Sequence, residues 1–302
     1  MKQPRPISLT KSFTLYPLLI RMMNLEPEEG IELAIGTGFI YEFEGYYYII
    51  TNGHCITGVN PEGGQRLSKH AAFPTHLFLH LRTRVSKSEA TSADKAENKD
   101  AVWAELGRMH PENVRVELYS DDDYTKPKWY VHPDYGHQVD VVAIPLIEKE
   151  KVPDHLMLWA LNNNRSLEAE PEVADDVYIL GYPFGITDSL EFPVWKKGSI
   201  ATEPSVFYKG LPRMLVDTAT RSGMSGSPVI LMRSGVHNME NGQLTTKSLI
   251  GTVFGFVGVY SGRIGAEKEN EAQLGIVWRK EVIEEIIIAK RLATTEFHNA
   301  QL

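Results

Sequence analysis

The chain has 302 residues, of which 42% are apolar and 23% are charged, and this composition is ordinary for a globular protein and excludes a disordered one. The net charge of −8 argues against a general nucleic-acid binder, which would be basic. No segment approaches the ~20 consecutive apolar residues that a membrane-spanning helix needs. We therefore expect a soluble protein with a sizeable core and with no nucleic-acid or membrane partner.

Cysteine usage indicates a compartment. Cys55 is the only cysteine, so no disulfide can form within this chain. Secreted proteins often rely on several such bridges, and a chain without them is typical of a reducing environment. The apolar stretch at residues 15–20 is short, contains Pro17 and lacks a small-residue cleavage site, so it is unlike a secretory signal. These features predict a cytoplasmic protein.

The first hundred residues predict an arm followed by a hairpin. Residues 1–30 are mixed in character and predict an N-terminal arm. Residues 31–40 and 46–51 are rich in β-branched and aromatic side chains, with Glu44-Gly45 between them as a turn. We expect a β-hairpin whose second strand ends just before a histidine.

The rest of the chain reads as short strands separated by Gly and Pro, which favours an all-β barrel or sandwich. The charged segment 86–100 predicts an exposed loop, and residues 155–161 predict a short helical piece. Residues 281–292 carry an apolar helical stripe that should pack against the second half of the protein. The predicted strands are 75–85, 114–119, 128–132, 139–146, 177–181, 197–201, 214–218, 227–231, 248–260 and 273–277.

Three short segments carry residue types used together in nucleophilic catalysis. His54 follows an apolar strand in IITNGHC, Asp140 opens a buried strand in DVVAIPL, and Ser225 lies among glycines in RSGMSGSPV. A serine hydroxyl becomes a nucleophile when an imidazole accepts its proton, and a carboxylate holds that imidazole in one tautomer. The glycines would let the N–H groups of Gly223 and Ser225 face a developing oxyanion.

These segments, in the order His, Asp, Ser, resemble the chymotrypsin/trypsin-like serine protease superfamily. The first two are similar to the family's Thr-Ala-Ala-His-Cys and Asp-Ile-Ala-Leu-Leu. The third is closest to the Gly-Asn-Ser-Gly-Ser-Pro of bacterial glutamyl endopeptidases. The resemblance implies two six-stranded antiparallel β-barrels with a C-terminal α-helix, and an active site in the cleft between the barrels. It also implies peptide hydrolysis through an acyl-enzyme, with no cofactor and no metal.

The resemblance also implies a division of the chain. We expect the N-terminal arm at 1–30, a first barrel lobe at 31–150 that carries His54 and Asp140, a connection at 151–176, a second barrel lobe at 177–278 that carries Ser225, and a C-terminal helix and tail at 279–302.

The family pattern places the pocket for the residue before the scissile bond between two stretches of chain. Residues 258–262 resemble the family's edge strand, whose backbone pairs with the substrate. An aspartate that gives basic specificity is replaced here by an alanine, and the histidine of glutamyl endopeptidases by a tyrosine. Because a buried carboxylate needs strong compensation, we expect a preference for small or medium uncharged residues. The expected substrate-binding residues are Ala219, Thr220, Ser222, Tyr260, Ser261 and Gly262.

Several alternatives remain open at this stage. Asp134 lies close to Asp140 in sequence and could replace it, although it follows a proline and fits a turn better. Met224 stands where animal trypsins have the aspartate that pairs with a freshly cut N-terminus, so such activation is not implied. An uncontrolled cytoplasmic protease would be hazardous, which predicts narrow specificity or a regulatory protein partner. A peptide-binding module without turnover, or an esterase with the same triad, are the rival functions.

Overall fold

A computed structural model describes residues 13–26, 30–60, 63–67, 72–84, 109–164, 168–188, 190–237, 240–264 and 273–296. The predicted loop at 86–100 lies outside these residues. The strands of the first lobe are β1 Pro17–Asn24, β2 Ile31–Phe43, β3 Tyr46–Thr51, β4 His76–Arg84, β5 Met109–Glu117, β6 Val142–Glu148 and β7 Leu156–Met157. Those of the second lobe are β8 Asp176–Gly181, β9 Val194–Ile200, β10 Arg213–Asp217, β11 Pro228–His237, β12 Leu249–Arg263 and β13 Leu274–Arg279. The α-helices are α1 Gly53–Thr57 and α2 Glu281–Ala289.

The predicted hairpin of the first lobe is confirmed by β2 and β3, which pair antiparallel from Phe43↔Tyr46 to Phe39↔Ile50. Glu44 and Gly45 join them with φ of 49° and 76°. Two consecutive left-handed residues form the tight turn whose twist matches that of the flanking strands. This turn sets the register, and the register brings the end of β3 to the cleft.

The first lobe is a seven-stranded sheet with the order β5-β4-β1-β2-β3-β6, and β7 pairs with β4. The end strands of this path, β5 and β6, do not pair directly, so this lobe is an open sheet and not the predicted closed six-stranded barrel, and an irregular segment links its two ends. Lys128 donates its N–H to the Leu118 carbonyl at 2.8 Å, and Tyr130 forms an isolated bridge with Ala143 of β6. The predicted strand at 128–132 is therefore reduced to isolated bridges, with Pro127 just before it.

The second lobe is a closed antiparallel barrel with the strand order β10-β13-β12-β11-β8-β9, and it confirms the predicted six-stranded barrel. The pairs Val216↔Ile200 and Asp217↔Ser199 between β10 and β9 close the ring. The side chains that fill its interior include Val177, Ile179, Val216 and Leu231, all fully buried. The protein is thus a mostly β, trypsin-like fold with a helix at its C-terminal end.

The N-terminal segment differs from the predicted arm, because β1 is an inner strand between β2 and β4. Leu18, Ile20 and Met22 point into the core of the first lobe. Leu19, on the opposite face, is also buried, at 5% exposure. A strand that is buried on both faces shows no alternation of polar and apolar residues, so its sequence did not reveal it.

The predicted helical piece at 155–161 is wrong, because the segment holds the two-residue strand β7 and then irregular residues that lead into a 3₁₀ turn at Leu161–Asn163. The C-terminal helix ends at Ala289, three residues before the predicted end at 292, because Lys290 takes the left-handed conformation that stops it, with φ 49°. None of the helices in the described ranges is long and apolar enough to cross a membrane.

Helix α2 follows the last strand of the second lobe, and besides the predicted packing on that lobe it also bonds to the first. Tyr41 of β2 donates its hydroxyl to Glu284 at 2.6 Å, and Glu285 contacts Nε2 of the buried His132 at 2.8 Å. The apolar stripe of α2 joins a core cluster that contains residues of both lobes. This shared core fixes the lobes against each other and so fixes the cleft between them.

Candidate active site

His54 is presented at the mouth of the cleft by the end of β3. The strand is continuously apolar and buried up to Thr51, and the chain then turns into the short helix α1. Gly58 ends this helix in the left-handed conformation and donates its N–H to the His54 carbonyl at 3.0 Å. The backbone of His54 is therefore held on both sides, by a buried strand and by a closed helical turn.

Asp140 is buried, at 2% exposure, and several donors converge on it. The backbone N–H of His54 donates to Oδ1 at 2.8 Å, and Nδ1 of the same residue lies 2.6 Å from Oδ2. Ser261 donates its hydroxyl to Oδ2 at 2.5 Å. A carboxylate removed from water needs such donors to compensate its lost hydration. The same contacts leave Nε2 of His54 as the ring nitrogen that faces the cleft.

The electrostatics of His54 follow from this pair. Burial by itself lowers the pKa of the imidazole, because it disfavours the charged ring. The negative charge and the hydrogen bond of Asp140 act in the opposite direction, and the pKa of His54 is raised well above its ordinary value of 6.5. A proton accepted by His54 is therefore stabilised by its neighbour.

Ser225 lies on a turn of the second lobe that is fastened to both lobes. Its carbonyl accepts the N–H of Thr37, on β2, at 2.8 Å. Gly226 donates its N–H to the Tyr260 carbonyl at 2.9 Å, and its φ is 83°. A Cβ atom on Gly226 would lie 2.0 Å from the carbonyl oxygen of Thr37. The close approach of the two lobes therefore requires glycine immediately after Ser225.

The backbone N–H groups of Gly223 and Ser225 have no acceptor among the described residues. The peptide group that joins Ser222 to Gly223 is fixed through its carbonyl oxygen, which accepts the N–H of Phe184 at 2.8 Å. In a trans peptide the N–H points away from the C=O, so this bond directs the Gly223 N–H away from Phe184. Two free donors beside a serine can bind a developing oxyanion.

His54, Ser225 and Gly223 line one cleft of about 590 Å³. The hydroxyl of Ser225 is not hydrogen-bonded to His54 in the described contacts. Catalytic hydrogen bonds are commonly long or poorly aligned in active sites without substrate. Met224 is fully buried in the core of the second barrel, so its side chain leaves the cleft open. The buried Cys55 lies in the wall of the same cleft.

The six expected substrate-binding residues do not all meet in this cleft. Ser222 lines it, whereas Ser261 contacts the carboxylate of Asp140. Thr220 and Tyr260, each 1% exposed, join their hydroxyls in a short hydrogen bond. A Cβ atom on Gly275 would lie 2.4 Å from the Tyr260 ring, so the ring fills the space over that glycine. Ala219 is half-buried beside Thr220, and Gly262 pairs with β13.

The alternative aspartate lies elsewhere. Asp134 is exposed in a turn, where its N–H donates to Nδ1 of His132 at 3.2 Å. Nε2 of that histidine is engaged by Glu285, as described above. Within the described ranges, no group of three or more His, Cys, Asp or Glu side chains is arranged to hold a metal ion.

Two functional features escaped the sequence analysis. Thr37 is completely buried, and its hydroxyl donates to the Gly223 carbonyl at 2.8 Å. Small residues on either side of it, Gly36 and Gly38, interrupt an otherwise bulky strand, and such an interruption marks the close approach of another backbone. Phe184 has a left-handed φ of 54°, which no local pattern announced.

Comparison with known proteins identifies a family for this chain. Residues 36–236 match the family described as the trypsin-like peptidase domain. The chain belongs to this family. Among solved structures, this chain is similar to Rv3671c from M. tuberculosis, which was crystallised as a serine-to-alanine mutant in an inactive form. The two chains share 15% sequence identity with a TM-score of 0.41, and the match covers 96% of this chain and 95% of the other. Comparison with curated proteins gave no match.

The raised pKa of His54 predicts the pH dependence of the site. Only neutral His54 can accept the Ser225 proton, so labelling by a fluorophosphonate should rise with pH through a midpoint above 6.5. Asp140→Asn removes the charge that raises the pKa, and should lower the midpoint while slowing the reaction about 10⁴-fold. The measurement is the labelling rate across pH for both proteins. An unchanged midpoint in the variant would contradict the assignment.

The geometry around Gly223 predicts the cost of adding one methyl group there. A Cβ atom would lie 2.2 Å from the Tyr182 carbonyl oxygen, at a residue whose φ is 94°. The peptide must then move, and we expect Gly223→Ala to lower kcat about 10²- to 10³-fold, as for the loss of one oxyanion donor. Gly251→Ala, where the added atom meets nothing within 4 Å, is the matched control. Equal kcat values for the two variants, each folded by thermal melting, would refute the role.

Proposed function

We propose that this trypsin-like peptidase is a serine endopeptidase whose triad is His54, Asp140 and Ser225. The observation that carries the proposal is the contact of His54 with the buried Asp140, 2.6 Å from Nδ1 to Oδ2, beside a serine that shares the cleft. When the ring is neutral, this contact keeps its proton on Nδ1 and leaves Nε2 free to face the cleft, which is the tautomer that a general base needs.

The proposed reaction proceeds in two halves. Ser225 Oγ attacks the peptide carbonyl carbon while His54 Nε2 takes its proton, and the oxyanion accepts hydrogen bonds from the N–H groups of Gly223 and Ser225. The proton then passes from His54 to the leaving amine, and the C–N bond breaks to leave an acyl-enzyme. A water molecule, deprotonated by His54, hydrolyses the ester and restores Ser225. Asp140 stabilises the imidazolium in both halves.

The preference that we propose before the scissile bond is for small or medium uncharged residues. Tyr260 supports it, because its ring occupies the space over Gly275 and its hydroxyl is already engaged by Thr220. A large side chain finds that space filled, and a charged one finds no opposite charge at Ala219.

We also propose that the protease has narrow specificity or is gated by a protein partner in a reducing, cytoplasmic setting. The lone Cys55 supports the setting, and the missing hydrogen bond between Ser225 and His54 is compatible with a resting state that substrate or a partner tightens. The same missing bond is the one observation that favours the rival function, a protease-fold module that holds a peptide without cutting it.

Labelling of Ser225 separates these functions. We expect purified wild type to react with a fluorophosphonate, and Ser225→Ala and His54→Ala to remain unlabelled, because the loss of a triad member lowers turnover about 10⁴- to 10⁶-fold. In-gel fluorescence of the labelled protein is the measurement. A wild type that labels only with a partner present supports gating. A wild type that never labels favours the binding module, and efficient cleavage of casein by the isolated chain contradicts gating.

A substrate library tests the pocket before the scissile bond. Wild type should cleave after small or medium uncharged residues, and Tyr260→Ala should gain about 10-fold in kcat/KM for leucine over alanine at that position, since the ring is removed. Tyr260→Phe keeps the ring and should keep the profile. Cleavage by wild type mainly after lysine, arginine or glutamate would reject the proposed specificity, as would identical profiles in all three proteins.

A further inference from the structure

The cleft beside Ser225 is lined mainly by residues of the first lobe. Apart from the nucleophile turn itself and one residue of the second lobe, Phe184, its lining comes from the first lobe, and most of it is apolar. The residues that fill the predicted pocket before the scissile bond, Thr220 and Tyr260, are not among its walls. The apolar lining residues are Met22, Leu33, Ala34, Ile35, Cys55, Leu67, Ala72, Pro74 and Phe184.

Two large apolar side chains at the rim of this cleft are exposed to solvent. Leu67 is 53% exposed and Phe184 is 65% exposed. Exposed apolar side chains that gather around one cavity mark a binding surface, whereas singly scattered ones need no explanation. Both are held in place by their backbones: the Leu67 N–H donates to the Gly58 carbonyl at 2.7 Å, and the Phe184 N–H to the Ser222 carbonyl at 2.8 Å.

The lining of the cleft is unfavourable for acidic side chains. Glu32 is the carboxylate in the lining, and it lies 2.9 Å from Arg21 in an exposed ion pair. Because Arg21 already pairs with this carboxylate, the apolar wall is what opposes the burial of an acidic side chain here.

The position of the cleft relative to the scissile bond follows from the edge strand. The part of the substrate before the bond is expected along residues 258–262 of β12, next to Ser261 and its contact with Asp140. The cleft extends from Ser225 toward β2 and α1 instead, where Thr37 bonds to the Ser225 carbonyl. It therefore lies on the side of the leaving group.

We infer that this cleft is the main specificity pocket of the enzyme and takes a large apolar side chain of the residues that follow the scissile bond. The inference rests on the proposed protease function and names its substrate class: peptides with a bulky apolar residue on the leaving-group side and a small residue before the bond. Leu67 and Phe184 are the residues that select it. Phe184 also holds the oxyanion peptide through its N–H, so Leu67 is the cleaner site for a test.

The test is a library of internally quenched peptides that vary at the two positions after the bond, with rates expressed per fluorophosphonate-labelled active site. Wild type should prefer leucine and phenylalanine over glycine, and over aspartate, in at least one of these positions, by about 10- to 100-fold in kcat/KM. Leu67→Asp should abolish most of this preference and shift it toward lysine and arginine. Leu244→Asp, at a leucine that is 63% exposed and outside the cleft, should keep the wild-type profile.

The outcomes distinguish the inference from the function beneath it. If the wild type labels and cleaves peptides but shows no preference after the scissile bond, the proposed pocket is wrong and the proposed protease function is retained. The same holds if Leu67→Asp and Leu244→Asp give one profile. A wild type that neither labels nor cleaves any peptide overturns the proposed function and the pocket with it.

Discussion

The arrangement of the whole site depends on Thr37, a fully buried residue of the first lobe that is bonded to the Ser225 turn of the second. Its N–H and its hydroxyl donate to the Ser225 and Gly223 carbonyls, each at 2.8 Å, and its hydroxyl accepts the Tyr182 N–H at 3.2 Å. One short side chain thus joins both lobes at the place where the serine must face the histidine. Because these groups are shielded from water, each bond is expensive to break, and the lobes keep one relative position.

Asp140 is buried and His54 is mostly buried, and at each residue a neighbouring group offsets the cost of burying a charge. At Asp140 the cost of desolvation is offset by three donors from two parts of the chain: the backbone and ring of His54, and the hydroxyl of Ser261. At His54 the nearby carboxylate outweighs burial and raises the pKa. The low dielectric of the site strengthens this attraction. The ring is therefore held in one orientation, with a carboxylate already beside it to stabilise a positive charge on the ring.

Much of the fold was readable in the sequence because its signals are local. The Glu44-Gly45 turn, the alternation of Leu77, Leu79 and Leu81, and the glycines around Ser225 each express a constraint within a few residues. The features that were missed come from distant parts of the chain. Strand β1 is covered on both faces, which erases its period, and the bond of Ser261 to Asp140 joins residues 121 apart in sequence. No local pattern records which partner a hydroxyl will find after folding.

The sequence also suggested six residues for one pocket, and the structure distributes them among different tasks. A serine such as Ser261 has the same chemistry whether it contacts a substrate or supports a carboxylate. Only its surroundings decide, and these depend on the position of β12 relative to the first lobe. The conformation of Phe184 likewise depends on a partner in another segment, the Ser222 carbonyl.

The return of α2 to the first lobe has a consequence for how the chain folds. The bond between Tyr41 and Glu284 closes a loop of 243 residues, and the one between His132 and Glu285 closes a loop of 153. Such contacts form only after the entropy of a large closed loop has been lost, so they belong to the late stage of folding. Neither lobe completes its core while the other is unfolded. We expect the two barrels to fold and unfold as one cooperative unit, although each has the outline of a separate domain.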